Sequence, residues 1–80
     1  MTDVTTKDQL RIATDEIAGP YLMLPLLQLG RVRDLLDRHQ IHYWADSFAI
    51  SLGGKPAIIV INFGRNGDPA RLQTLLDEAG

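Results

Sequence analysis

Hydrophobic residues are densest between positions 57 and 63, where the chain reads Ala-Ile-Ile-Val-Ile-Asn-Phe between the turn-forming runs Gly53-Gly54-Lys55-Pro56 and Gly64-Arg65-Asn66-Gly67. This run is too short for an ordinary helix, and Ile and Val, stiff at χ1, favour a pleated surface. Its alternating sets, Ala57, Ile59, Ile61, Phe63 and Ile58, Val60, Asn62, are both largely apolar. That pattern predicts a central strand covered on both faces.

Upstream, Tyr21-Leu22-Met23-Leu24 reads as a strand between Gly19-Pro20 and Pro25, which cannot donate to a ladder. From Gln28 to His39 the period lengthens: Leu29, Val32, Leu35 and Leu36 form a stripe, and Arg31, Arg33, Asp34, Asp37 and Arg38 cover the rest. The pattern predicts an amphipathic helix, with Arg33 near Asp37 and Asp34 near Arg38 at i, i+4 spacing, each pair worth about 0.3 kcal/mol. Residues 41–52 read as one long strand bent by a bulge near Asp46-Ser47, with two tightly joined strands as the alternative. Gly53-Gly54 suits a tight hairpin turn with φ > 0, setting Leu52 against Lys55, Ile50 against Ala57 and Phe48 against Ile59. Phe48, Ile50 and Leu52 then share a face with Ile59, Ile61 and Phe63. Asp68 as N-cap, Pro69 behind it and the stripe Leu72, Leu75, Leu76, Ala79 predict a C-terminal helix.

Residues 1–18 form an N-terminal extension, expected to be partly disordered or to carry a short helix. Thr6 and Gln9 have capping-box spacing, and Leu10, Ala13 and Ile17 fall on one helical stripe. A strand through residues 10–13 is the competing reading.

The order strand, helix, long strand, central strand, helix places residues 19–80 in the α+β class, with two helices on one face of a mostly antiparallel sheet. A right-handed crossover over residues 28–39 leaves a gap that the central strand fills, giving a ferredoxin-like βαββα arrangement without a final strand. Two exposures follow. The edge beside residues 21–24 lacks a partner, a vacancy that the N-terminal segment or a second chain would fill. The face away from the helices carries Ile58 and Val60, with Trp44 or Tyr43 and Tyr21 or Met23, an apolar patch of roughly several hundred Å². Burial in a homodimer is the economical expectation, and a fold-back of the N-terminal helix is the alternative.

The run Ile58-Ile59-Val60-Ile61 leading into Ala70-Arg71-Leu72-Gln73-Thr74-Leu75-Leu76, with a helix ending just before Ile41-His42-Tyr43, resembles small bacterial α+β domains of the signal-transducing, PII-like kind. The resemblance covers about residues 20–79 and implies the fold; no functional residue is carried over with it.

At 80 residues the chain makes one domain, able to bury only about 60% of the surface its unfolded form exposes, so partners matter to it. A net charge of −2, with Asp3, Asp8, Asp15 and Glu16 near the start, leaves no basic field for nucleic acid. The absence of cysteine excludes disulfides, thiolate zinc sites and thiol catalysis. The apolar run at residues 21–29 is short and interrupted by Pro25 and Gln28, so no membrane span is expected. The opening Met-Thr-Asp-Val-Thr-Thr-Lys is unlike a secretory signal, and a cytoplasmic protein is the expectation.

Candidate chemistry is sparse, and no cofactor is expected. His39 and His42 supply half a metal set that carboxylates such as Asp37 or Asp46 would have to complete; a helix-end His39 and a partly exposed His42 are the plainer reading. Arg65, Asn66 and Gly67 stand before a helix N-terminus, where backbone N–H groups hold anions, but Asp68 already takes the cap. His42 with Asp46 and Ser47 or Ser51 lacks a nucleophile elbow. Trp44 and Tyr43 suit a core or interface anchor better than a stacking platform. The leading reading is a small non-enzymatic regulatory or accessory domain that binds protein, most simply itself, through Tyr21, Met23, Trp44, Ile58 and Val60. A second is an anion or metabolite sensor with a cleft of Trp44, His42 and Arg65, and a third is a minor hydrolase.

Overall fold

A computed structural model describes residues 1–46, 49–51 and 53–79. The apolar run forms strand β3 (Ile58–Asn62), lying between β1 (Tyr21–Pro25) and β2 (Trp44–Ala45) and antiparallel to both. Leu22 pairs with Ile61 and Leu24 with Ile59, which turns these four side chains to one side of the pleat. On that side they meet Val32 and Leu36 of helix α1 (Leu29–Arg38) and Leu72 and Leu76 of helix α2 (Pro69–Glu78), with Phe63 completing one core. Both helices therefore cover one face of the sheet. Burying each of these large apolar side chains contributes about 1.5–3 kcal/mol, which makes this single layer the main source of stability.

The helix ends follow local chemistry. Pro25 ends β1 and a 3-10 turn over Leu26–Gln28 leads into α1, one residue later than the periodicity implied. At the far end Ile41 N–H reaches Leu36 O at 2.9 Å and Gln40 N–H reaches Asp37 O at 3.1 Å, a Schellman closure with Gln40 held at φ 56°. Helix α2 begins as expected: Asp68 is extended, and its carboxylate accepts from the N–H groups of Ala70 and Arg71. The two ion pairs expected along α1 do not form. Asp37 instead accepts from the Tyr43 hydroxyl at 3.0 Å, tying the helix to the chain entering β2.

Residues 41–52 differ from the single long strand expected of them. Among the described residues of this stretch, regular pairing holds only at Trp44–Asn62 and Ala45–Ile61, continues through Asp46 N–H to Val60 O, and returns at the bridge Ile50–Ile58. Four residue steps from Asp46 to Ile50 oppose two from Val60 to Ile58, so the register slips by two across this stretch. The expected bulge at Ser47, and the partners assigned to Phe48 and Leu52, lie outside the described residues. Gly53 and Gly54 do take φ of 58° and 76°, yet the return is longer than a two-residue hairpin. Ile50 consequently faces Ile58 and not Ala57, and it stands on the face opposite Ile59, Ile61 and Phe63.

The N-terminal segment forms no helix. It folds back on itself through a Thr2–Gln9 bridge and runs extended to an Ala13–Tyr21 bridge on the outer edge of β1. Met1 and Leu10 join the core, and the Met1 amino group donates to Leu76 O. Two glutamines hold it in place. The Gln28 amide donates to Thr2 O at 2.8 Å and accepts from Val4 N–H at 3.0 Å. The Gln73 amide donates to Leu10 O at 3.0 Å and accepts from Ile12 N–H at 2.8 Å. Each side-chain amide bonds the backbone at positions i and i+2, as a neighbouring strand would. The helical stripe Leu10, Ala13, Ile17 loses to this arrangement because it has no apolar face left to cover: Ile17 is 82% exposed.

Candidate interaction surface

Alternation along three paired strands builds the uncovered face as a grid. Its rows are Tyr21, Asn62 and Trp44; Met23, Val60 and Asp46; and Pro25, Ile58 and Ile50. Met23 is 54% exposed, Trp44 49%, Ile50 59% and Ile58 41%, while Val60 and Tyr21 are half-buried among them. On the helix side of β1 and β3, Leu22, Leu24, Ile59 and Ile61 are exposed by 6% or less. The contrast arises because, among the described residues, no helix crosses this side: both helices pack on the other one, and the N-terminal turn reaches only the end row, where Asp3, Thr5 and Thr6 share a concavity with Pro25 and Ile58. Toward one end the surface dips into a concavity of about 300 Å³ lined by Met23, Asp46, Ile50, Lys55, Pro56, Ile58 and Val60. Asp46 is steadied there by Asn62, whose amide donates to it at 2.9 Å. Lys55 follows the turn in which the Ser51 hydroxyl donates to Lys55 O at 2.7 Å.

The edge beside β1 is less open than the face. Tyr21 exchanges both backbone bonds with Ala13, each at 2.9 Å, and Pro25 has no N–H to offer. Between them only Met23 presents outward N–H and C=O groups, too little to pair a new strand. The vacancy beside β1 is thus filled at one end by the N-terminal segment and blunted by proline at the other.

The remaining candidate residues are spread apart. His42 and Trp44 stand 6.3 Å apart between ring centroids, tilted by 58°, and share a groove of about 530 Å³ with Arg33, Asp37 and Tyr43. Arg65 does not join them; it lines a separate concavity of about 380 Å³ beside Asp15 and Glu16, where an anion would meet two carboxylates. Asn66 and Gly67 line a third, with His42, Asp68 and Arg71. The first N–H groups of α2 that an anion would need are already bonded to Asp68. Among the described residues no three His, Asp or Glu side chains gather to hold a metal, so His39 and His42 remain unsupported as ligands. The Ser51 hydroxyl is spent on Lys55 O, and Ser47 lies outside the described residues. The Asp15 carboxyl is held below its ordinary pKa by hydrogen bonds from Ala18 N–H and Ile17 N–H.

No protein-family model matches this chain, and no curated protein or solved structure is significantly similar to it. No helix among the described residues is long and apolar enough to cross a membrane. Sequence reasoning missed Ile50, Asp46 and Lys55 as members of the uncovered face. The register slip moves Ile50 there, and only a bridge seen in three dimensions reveals that slip.

Proposed function

We propose that this chain is a small non-enzymatic domain that acts by binding protein through the uncovered sheet face, in its simplest form a second copy of itself in the cytoplasm. One observation carries the reading: Met23, Trp44, Ile50 and Ile58 stand exposed together on a face built from regular strands, while their neighbours on the other side are buried. Contiguous apolar surface on an ordered sheet marks association sites in small proteins, and Met and Trp are frequent anchors within them. The fold reading that accompanies this is ferredoxin-like, with Ala13 bridged to Tyr21 on the edge of β1 where a final strand would lie. The metabolite-sensing alternative has less support, since Trp44 and Arg65 line different concavities.

Sedimentation velocity over a range of micromolar concentrations tests the function. Wild type should associate with rising concentration and Met23→Glu should remain monomeric with an unchanged melting temperature. Wild type that stays monomeric throughout would remove the self-association form of the reading.

A further inference from the structure

The concavity on the uncovered face is apolar across its floor and carries one charge of each sign on its rim. Met23, Ile50, Ile58 and Val60 make the floor with Pro56, and Asp46 and Lys55 stand beside them. Both charged residues are exposed, and among the described residues neither is in an ion pair; Asp46 accepts only from the neutral Asn62 amide. A rim of one sign would repel an identical rim placed against it. A rim carrying both signs attracts its own copy when the two are related by a two-fold axis.

From this, and resting on the interaction reading above, we infer that the partner on this face is a second copy in one register: Asp46 of each chain pairs with Lys55 of the other, around a floor of Met23, Ile58 and Val60. The two faces oppose one another when the axis lies in the plane of the interface. An axis in that plane, perpendicular to the line from Asp46 to Lys55 and crossing its midpoint, carries each onto the other's position, so a single choice of axis forms the ion pair twice. Apolar side chains on the axis then meet their own counterparts, those beside it meet the symmetry-related positions, and all leave water together. The separation of labour is the usual one: the apolar floor supplies the drive to associate, and the charged rim selects the orientation. The edge of β1 competes poorly as an alternative, because Ala13 and Pro25 occupy its two ends.

Charge reversal tests the register. Asp46→Lys alone places like charges at both contacts, as does Lys55→Asp alone, and each should weaken self-association by about tenfold or more. An equimolar mixture of the two variants restores both pairs, so a one-to-one heterodimer should sediment at the wild-type value. The double variant Asp46→Lys with Lys55→Asp should self-associate as wild type does. Because recovery in the mixture requires both chains to be folded, a folding defect cannot imitate the expected result, and circular dichroism of each variant identifies one directly. Single variants that dimerise like wild type, or folded single variants that stay monomeric when mixed, would overturn this register while leaving the face as an interaction surface. Failure of wild type itself to associate would overturn the register together with the reading beneath it.

Discussion

Gly19 rests against Gly64 so closely that a Cβ added to Gly19 would lie 2.4 Å from the Gly64 carbonyl oxygen. Gly19 also has φ of 89°, a region side chains rarely enter, and Pro20 O next to it accepts from Phe63 N–H at 3.0 Å. This backbone contact fixes where β1 starts relative to the end of β3. Gly19→Ala is therefore expected to cost on the order of 3 kcal/mol, since the neighbour it meets is main chain and cannot swing away. Urea unfolding measures it. Gly53→Ala, which meets open space at φ 58°, should cost no more than about 1–2 kcal/mol.

Gln73→Met keeps the volume of the side chain and removes its amide. Ile12 N–H and Leu10 O then lose their partner in a partly buried place, for a cost of about 1–3 kcal/mol. Hydrogen exchange should speed up first at Ile12, whose N–H loses its acceptor, and remain slow at Ile61. Uniform acceleration across the sheet would mean that residues 1–13 and the sheet open as one unit.

Gln40 closes α1 in the left-handed region, where glycine is favoured. Gln40→Gly should raise stability by about 1 kcal/mol, seen as a higher urea midpoint with an unchanged slope. A lower midpoint would show that the Gln40 side chain contributes more than its backbone strain removes.

How much of this was written in the sequence depends on the range of the interaction. Asp68-Pro69 marks its helix start within the chain itself, and the alternating apolar sets of residues 57–63 identify a strand at the sheet's centre. The stripe Val32, Leu36 likewise announces a helix. The end of that helix was readable only to within a residue or two, since Gln40 is not the usual closing residue. The N-terminal fold is set by Gln28 and Gln73, whose partners lie more than twenty residues away, and no local pattern ties them together. The open face was partly legible from Ile58, Val60, Met23 and Trp44. Unbroken alternation puts Ile50 on the helix side, whereas a register slip of two turns it to the open face.

The Asp15 carboxylate accepts from Ala18 and Ile17 N–H within the turn before Gly19. These bonds favour the charged form and lower its pKa below 3.8. The stabilisation is present above the unfolded-state value and is lost as the pH falls through the lowered folded value. Carboxyl NMR titration should show Asp15 titrating below 3.8. A midpoint at or above that figure would mean the turn is open in solution.

On the proposed function, the uncovered face of the sheet meets another molecule of this chain. Methyl NMR spectra recorded over a hundredfold dilution test it most directly. The methyl resonances of Ile58, Val60 and Met23 should move with concentration, while those of Ile59 and Ile61, buried on the helix side, should stay in place. Resonances of Ile58 and Val60 that ignore concentration, or shifts confined to Val32 and Leu36, would contradict it.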